Sequence, residues 1–164
     1  MIDGPSQFDF YSGGGLDIAF LGFGEIDAVG NVNASKLGGN TVGPGGFIDI
    51  AQNARKVVFC GTFDTGGART EVGSGVMRVT EHGRISKLVD KVDQITFSGP
   101  QSLLQGQKVI YITERAVFEL RENGLHIIEI APGIDLQTDL LDRMGFAPNM
   151  NSPLSEMDSN YFKK

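Results

Sequence analysis

Apolar residues occur in short runs between glycine-rich turns along the first part of the chain. Residues 16–22 and 56–63 are apolar at successive rather than alternate positions, which is typical of strands buried on both faces of a sheet. Between these runs, residues 47–54 carry apolar side chains at the i, i+3, i+4, i+7 spacing of a short helix. The pattern therefore predicts an α/β fold whose first half is a mainly parallel sheet with helices.

Later segments alternate polar and apolar positions, as strands of antiparallel sheets do. Residues 109–113 and 116–120 are rich in β-branched and aromatic side chains, and residues 125–130 follow an Asn123-Gly124 turn, so these segments predict an antiparallel meander. Residues 76–93 predict an exposed hairpin around Glu81-His82-Gly83. The antiparallel part is thus expected between Val76 and Ile130.

Three further elements complete the expected fold. Residues 22–26 and 30–35 predict a hairpin. Asp135 is placed to cap a last helix over residues 136–144 that Gly145 ends. The polar tail, residues 148–164, is expected to lie over the surface or to reach a neighbouring chain.

Composition narrows the class of protein. The 164 residues, 40% hydrophobic and 21% charged, suit one ordered domain. A net charge of −6, from 20 acidic and 14 basic residues, argues against a nucleic-acid partner. No apolar run is long enough to span a bilayer, so no membrane partner is expected. One cysteine and no leader-like start at Met1 predict a cytoplasmic location.

Candidate chemistry is sparse outside one glycine loop. His82 and His126 stand 44 positions apart, which gives no zinc-ligand spacing, and both are expected on strand or turn surfaces. Cys60 lies within an apolar run and is expected to be buried. Gly45 and Gly46 precede the predicted helix, where unhindered backbone amides form a site for a phosphate, a carboxylate or an oxyanion. The alternative is a tight loop that lets the helix pack closely.

Six sequence blocks resemble, in order, the carboxyl-terminal half of family I coenzyme A (CoA) transferases. The blocks are QFDFY (7–11), GGGLDIAFLG (13–22), GNVNASK (30–36), GGFIDIAQNA (45–54), VVFCGTF (57–63) and ITERAVF (112–118). The resemblance extends to about Ser152 and is strongest to the propionate or short-chain acyl-CoA:acetate type. It implies that residues 1–164 form a partial second, carboxyl-terminal (beta-type) domain of such an enzyme.

The resemblance also implies a mechanism and a site. In this family a glutamate attacks the acyl-CoA, passes through an acyl-glutamyl anhydride and holds CoA as a glutamyl thioester. The backbone amide of Gly46 corresponds to the family's oxyanion donor, and CoA or substrate contacts are expected at Gly45, Gly46, Phe47, Thr62 and Phe63. CoA is then a substrate, and no metal or permanently bound cofactor is expected.

One departure from the family concerns the nucleophile. The family's glutamate precedes the QFDFY block, whereas the first glutamate here is Glu25, which lacks the glycine context and is not expected to replace it. Glu114 is expected at a strand end beside a base such as Arg115. The chain is therefore expected to be inactive alone. Its expected partners are acyl-CoA, a carboxylate, the remaining transferase part or another subunit, and copies of itself. The alternative is a non-catalytic CoA-binding or assembly module.

Overall fold

The computed structural model describes residues 2–163 and is organised around a six-stranded mixed sheet. The strands are β1 (Ala19–Leu21), β2 (Glu25–Ile26), β3 (Val32–Asn33), β4 (Lys36–Leu37), β5 (Asn40–Thr41), β6 (Lys56–Cys60), β7 (Asp64–Thr65), β8 (Arg69–Gly73), β9 (Val76–Glu81), β10 (Ile85–Ser86), β11 (Lys108–Ile112), β12 (Ala116–Arg121), β13 (Gly124–Ile130) and β14 (Asn149–Glu156). The helices are α1 (Gly4–Ser12), α2 (Phe47–Asn53) and α3 (Gly99–Leu104), followed by a π-helical turn at Leu136–Leu140 and 3₁₀ turns at Leu141–Arg143 and Ser159–Phe162.

The main sheet has the order β1-β6-β11-β12-β13-β14. β1, β6 and β11 are parallel, β12 and β13 continue as an antiparallel meander, and β14 runs parallel to β13. Val57, Val58 and Phe59 are buried in succession in β6, whereas β12 alternates between buried and half-buried positions. This difference follows from the central position of β6 between two parallel neighbours. The predicted α/β class and the meander are confirmed.

Aromatic side chains fill the core beside β6. The Phe59 ring stacks on Phe47 at a centroid distance of 5.8 Å and on Tyr111 at 5.4 Å, and it meets Phe97 edge-on at 5.0 Å. Burial raises the pKa of the Tyr111 hydroxyl well above its usual value, so the group stays protonated. It donates a hydrogen bond of 2.6 Å to the Gly30 carbonyl oxygen.

The predicted hairpin over residues 76–93 is wrong. β9 instead pairs with β8 through Ser74 and Gly75, whose φ angles are 54° and 82°, and β10 pairs with β7. Two positive φ values suit a two-residue turn whose twist matches that of the strands. Gly83 serves a different purpose, because a Cβ there would lie 2.4 Å from the Thr65 carbonyl oxygen. The predicted hairpin of residues 22–26 and 30–35 is present as β2 and β3.

The end of the chain also differs from expectation. Asp135 does cap the last helical segment, since its Oδ1 accepts from the Thr138 amide at 2.8 Å, but the segment is a π-helical turn followed by a 3₁₀ turn. The tail does not simply cover the surface, because β14 extends the main sheet beside β13. Phe162 is buried and packs in a small cluster with Met77, so side chains far apart in sequence stabilise this end.

The β1 side of the sheet exposes apolar surface. β1 is an edge strand, and its Phe20 side chain is 67% exposed. α1 has no buried residue, and its Phe8 and Phe10 are exposed, as is Ile48 on α2. Over residues 2–163, no helix combines the length and the hydropathy needed to cross a bilayer.

Candidate active site

The predicted site residues lie near the carboxyl ends of the parallel strands. Thr62 and Phe63 follow β6, and Glu114 follows β11; Phe23, which was not predicted as a site residue, follows β1 in the same way. α2 packs on β1 and runs back toward the start of β6. Its first residue, Phe47, and the preceding Gly46 therefore lie on the side of the sheet where the parallel strands end. Open α/β sheets bind their ligands at this edge.

The glycine loop before α2 presents free backbone donors. The Val42 and Gly43 amides donate to the Ser35 carbonyl oxygen at 2.8 and 3.1 Å, which fixes the start of the loop. Within residues 2–163, the amides of Gly45 and Gly46 donate no hydrogen bond. Gly45 has φ of +53° and open space where a Cβ would be, whereas a Cβ on Gly46 would lie 2.8 Å from the Phe8 ring.

The two predicted residues after β6 differ in exposure. Thr62 is exposed, but the Phe63 side chain is only 1% exposed, which leaves it no surface for a ligand in this structure. The Phe63 amide donates to Glu114 Oε2 at 2.8 Å, and its ring lies 4.7 Å from the Arg115 guanidinium carbon. Phe47 is half-buried against Phe59, as described above.

Arg115 is the centre of a buried ion-pair cluster. Its side chain has no exposed surface and contacts Asp64 at 2.8 Å and Glu114 at 3.3 Å. Its Nη1 donates to the Asp139 carbonyl oxygen at 3.1 Å and lies 3.4 Å from Nδ1 of His82. The predicted pairing of Glu114 with Arg115 is confirmed. The cluster holds Glu114 at the strand end, since one carboxylate oxygen accepts from the Phe63 amide and the other forms an ion pair with Arg115.

A cavity of about 310 Å³ opens at the same edge. Of the five predicted binding residues, all in the described part of the chain, Thr62 alone lines it. Sequence reasoning missed Lys87, which also lines the cavity, is 9% exposed and places Nζ 4.0 Å from the centroid of the Phe23 ring. Burial lowers the pKa of Lys87, and the charge of Glu114 partly opposes that effect.

Glu25 faces this cavity in a supporting role. Its Oε2 accepts from Asn33 Nδ2 at 2.7 Å and from the Asp93 amide at 3.1 Å. These bonds tie β2 to β3 and to the segment after β10. Two hydrogen bonds hold the Glu25 carboxylate in place, which suits a structural role and agrees with the expectation that Glu25 is not the nucleophile.

Two single-residue expectations are wrong. Cys60 is exposed, because it is the last residue of β6, where the strand ends; its partner on β11, Ile112, is 37% exposed. His126 is 9% exposed rather than on the surface, since β13 lies between two other strands. His82 is about one-third exposed, with Nε2 3.4 Å from Asp139 Oδ1. In the described part of the chain, no group of three or more His, Cys, Asp or Glu side chains is arranged to hold a metal ion.

The chain is similar, in both sequence and structure, to a segment of known CoA transferases, which confirms the resemblance. No family profile matches the chain. The acetate CoA-transferase YdiF of Escherichia coli O157:H7 is 49% identical over 162 residues, a match that covers 99% of this chain and 30% of that protein. A caffeate CoA-transferase of Acetobacterium woodii is 46% identical over 168 residues, covering 99% of this chain and 32% of that protein. The chain thus spans about a third of the length of these relatives.

Solved structures give the same result. The crystal structure of the acyl-CoA transferase YdiF apoenzyme from Escherichia coli O157:H7 superimposes with a TM-score of 0.96, covering 99% of this chain and 32% of that one. The same enzyme has also been solved as a thioester complex with CoA. The decarboxylase AibA/AibB, at 24% identity and a TM-score of 0.69, shares the fold.

Proposed function

We propose that the chain is part of a transferase that moves CoA between a short-chain acyl-CoA and a carboxylate such as acetate. The observation that carries this proposal is the 49% identity and the TM-score of 0.96 to an acyl-CoA transferase over 99% of the chain. The free thiol of Cys60 suits a reducing compartment, and we place the activity in the cytoplasm.

The proposed chemistry proceeds through a glutamyl-CoA thioester. The nucleophilic glutamate lies outside residues 1–164, in the stretch that precedes the QFDFY block in the family. Its attack on the acyl-CoA carbonyl gives a tetrahedral oxyanion, from which CoA thiolate leaves; the thiolate then attacks the resulting anhydride and releases the carboxylate. The unpaired amide of Gly46 is the proposed donor to these oxyanions, with Gly45 beside it.

The remaining transferase part is the proposed partner of this chain, which forms a partial second domain. The exposed Phe8, Phe10 and Phe20 side chains support this, because apolar surface of this kind marks contacts with other polypeptide. β1 also leaves one edge of the sheet without a partner strand among the described residues, and such edges are usually covered. Self-association of the isolated chain is the second proposed outcome of the same exposed surface.

The test uses Gly46→Val in a longer protein that carries this chain together with the glutamate-bearing stretch. Valine keeps the backbone N–H at position 46, but its side chain blocks the approach of an oxyanion to that amide. Losing one oxyanion donor lowers kcat by about 10²–10³, and we expect a loss of this size. Because a Cβ at Gly46 meets Phe8, the variant is also made in a Phe8→Ala background, where that contact is absent. Phe8→Ala alone sets the baseline for the double variant, because Phe8 also belongs to the exposed apolar surface proposed to contact the rest of the transferase. If Phe8→Ala restores transfer to the Gly46→Val enzyme, glycine is needed at position 46 for packing against Phe8 and not for oxyanion binding.

A further inference from the structure

Lys87 is a buried cation at the wall of a ligand-sized cavity. Its side chain passes over the Phe23 ring and reaches Gly61, where a Cβ would lie 3.0 Å from Nζ. Gly61 thus leaves the room that the ammonium occupies. The 310 Å³ of the cavity falls at the lower end of the range of about 300–1,000 Å³ found for small-molecule sites.

The Lys87 ammonium lacks a close counter-ion. Across residues 2–163, no carboxylate lies within the 4.0 Å of an ion pair with Lys87. The two nearby carboxylates are already engaged: Glu114 by the Phe63 amide and Arg115, and Glu25 by Asn33 and the Asp93 amide. A buried charge without a partner is costly, so an anion that enters the cavity gains more there than at an exposed lysine.

The other walls of the cavity select the kind of anion. Phe23, Leu37 and Ile85 supply apolar surface, and Thr62 supplies a hydroxyl. The Glu25 carboxylate also lines the cavity, but it is already engaged by Asn33 and the Asp93 amide. One positive charge balances a monocarboxylate but leaves a doubly charged phosphate under-neutralised in apolar surroundings. A carboxylate with a short hydrocarbon chain matches both the charge and the apolar walls.

We propose that Lys87 binds the carboxylate of a short-chain monocarboxylic acid, whose hydrocarbon chain lies against Phe23, Leu37 and Ile85. This assignment rests on the proposed transferase function, since it names the residue that recognises the acid substrate. No covalent step is assigned to Lys87; it binds and orients the acid.

Propionate is the probe, and its binding to the 164-residue chain is measured by ligand-observed NMR without CoA. Lys87→Met removes the charge but keeps a side chain that can pack on Phe23, and it should weaken propionate binding at least tenfold. Lys91→Met is the matched control, because Lys91 is exposed, and it should leave the affinity unchanged. Propanol, which has the same chain without the charge, should bind equally weakly to both variants and to the parent.

A measurement on the unaltered chain guards against a variant that does not fold. With ¹³C-labelled lysines, propionate should raise the pKa of Lys87 while leaving that of Lys91 unchanged. Equal propionate affinity in the parent and the Lys87→Met chain, or no response of Lys87 to propionate, would overturn the assignment. Displacement of propionate by inorganic phosphate at equal concentration would also overturn it, since the site would then prefer phosphate. Failure of the transferase proposal would appear separately, as absence of CoA transfer by the longer protein.

Discussion

Replacing Arg115 should destabilise the fold far more than replacing an exposed arginine. Arg115 is fully buried and lies 2.8 Å from Asp64, whose side chain is 3% exposed. Arg115→Met leaves that carboxylate buried without its cation, a change that costs about 3–5 kcal/mol. If the free energy of unfolding falls by about 2 kcal/mol per molar of urea, the unfolding midpoint should shift down by about 2 M. Chemical denaturation followed by circular dichroism gives the free energy of unfolding directly.

Arg55→Met is the matched control for this experiment. Arg55 pairs with Asp17 at 3.1 Å, but the two side chains are 77% and 85% exposed, and exposed pairs contribute about 0–1 kcal/mol. The double variant Asp64→Asn/Arg115→Met should recover part of the loss, because it leaves no charge on residue 64. If Arg115→Met lowers the free energy of unfolding no more than Arg55→Met does, the buried Arg115 cluster does not stabilise the fold more than an exposed ion pair, and the reasoning is refuted.

Two further predictions concern close packing and pH. Gly99→Ala should lower the free energy of unfolding by about 1–3 kcal/mol, because its Cβ would lie 2.2 Å from the Val29 carbonyl oxygen. The control is Gly22→Ala, whose Cβ would lie in open space and which should be nearly neutral. Thermal melts compare the two variants. Burial, and then Arg121, lower the pKa of His126, so the folded state favours the neutral ring. The neutral His126 ring therefore contributes to the free energy of unfolding above about pH 6.5, and this contribution is lost as the pH falls through the folded-state pKa of His126. The Tm of the parent should therefore drop on acidification more steeply than that of His126→Gln, and parallel curves would contradict this.

Local sequence signals predicted the central elements well. The apolar run of β6 and the Asn123-Gly124 turn before β13 depend on neighbouring residues, so they are readable from the sequence. The hairpin of residues 76–93 was misplaced because Gly75 and Gly83 look alike in sequence. Gly75 adopts a positive φ in a turn, whereas Gly83 is small because the Thr65 backbone approaches it.

The candidate site shows the same limit. The Glu114–Arg115 pair joins neighbouring residues and was predicted, but the complete burial of Arg115 depends on Asp64 and Asp139 from other elements. Lys87 stands in a polar, alternating segment that resembles a surface strand. Its burial arises from Phe23 and Gly61, so no local pattern identifies it.

The most direct test of the transferase proposal compares the isolated chain with the longer protein in one assay. Each is incubated with propionyl-CoA and ¹³C-acetate, and labelled acetyl-CoA is measured by mass spectrometry. Borohydride, which reduces a glutamyl thioester, is then added and the intact mass is recorded.

The longer protein should form acetyl-CoA and show the mass change of a reduced glutamate. The isolated chain should form none and keep its mass, because the proposed nucleophile precedes Gln7. Turnover by the isolated chain that is lost on Glu25→Gln would contradict this and identify Glu25 as the nucleophile.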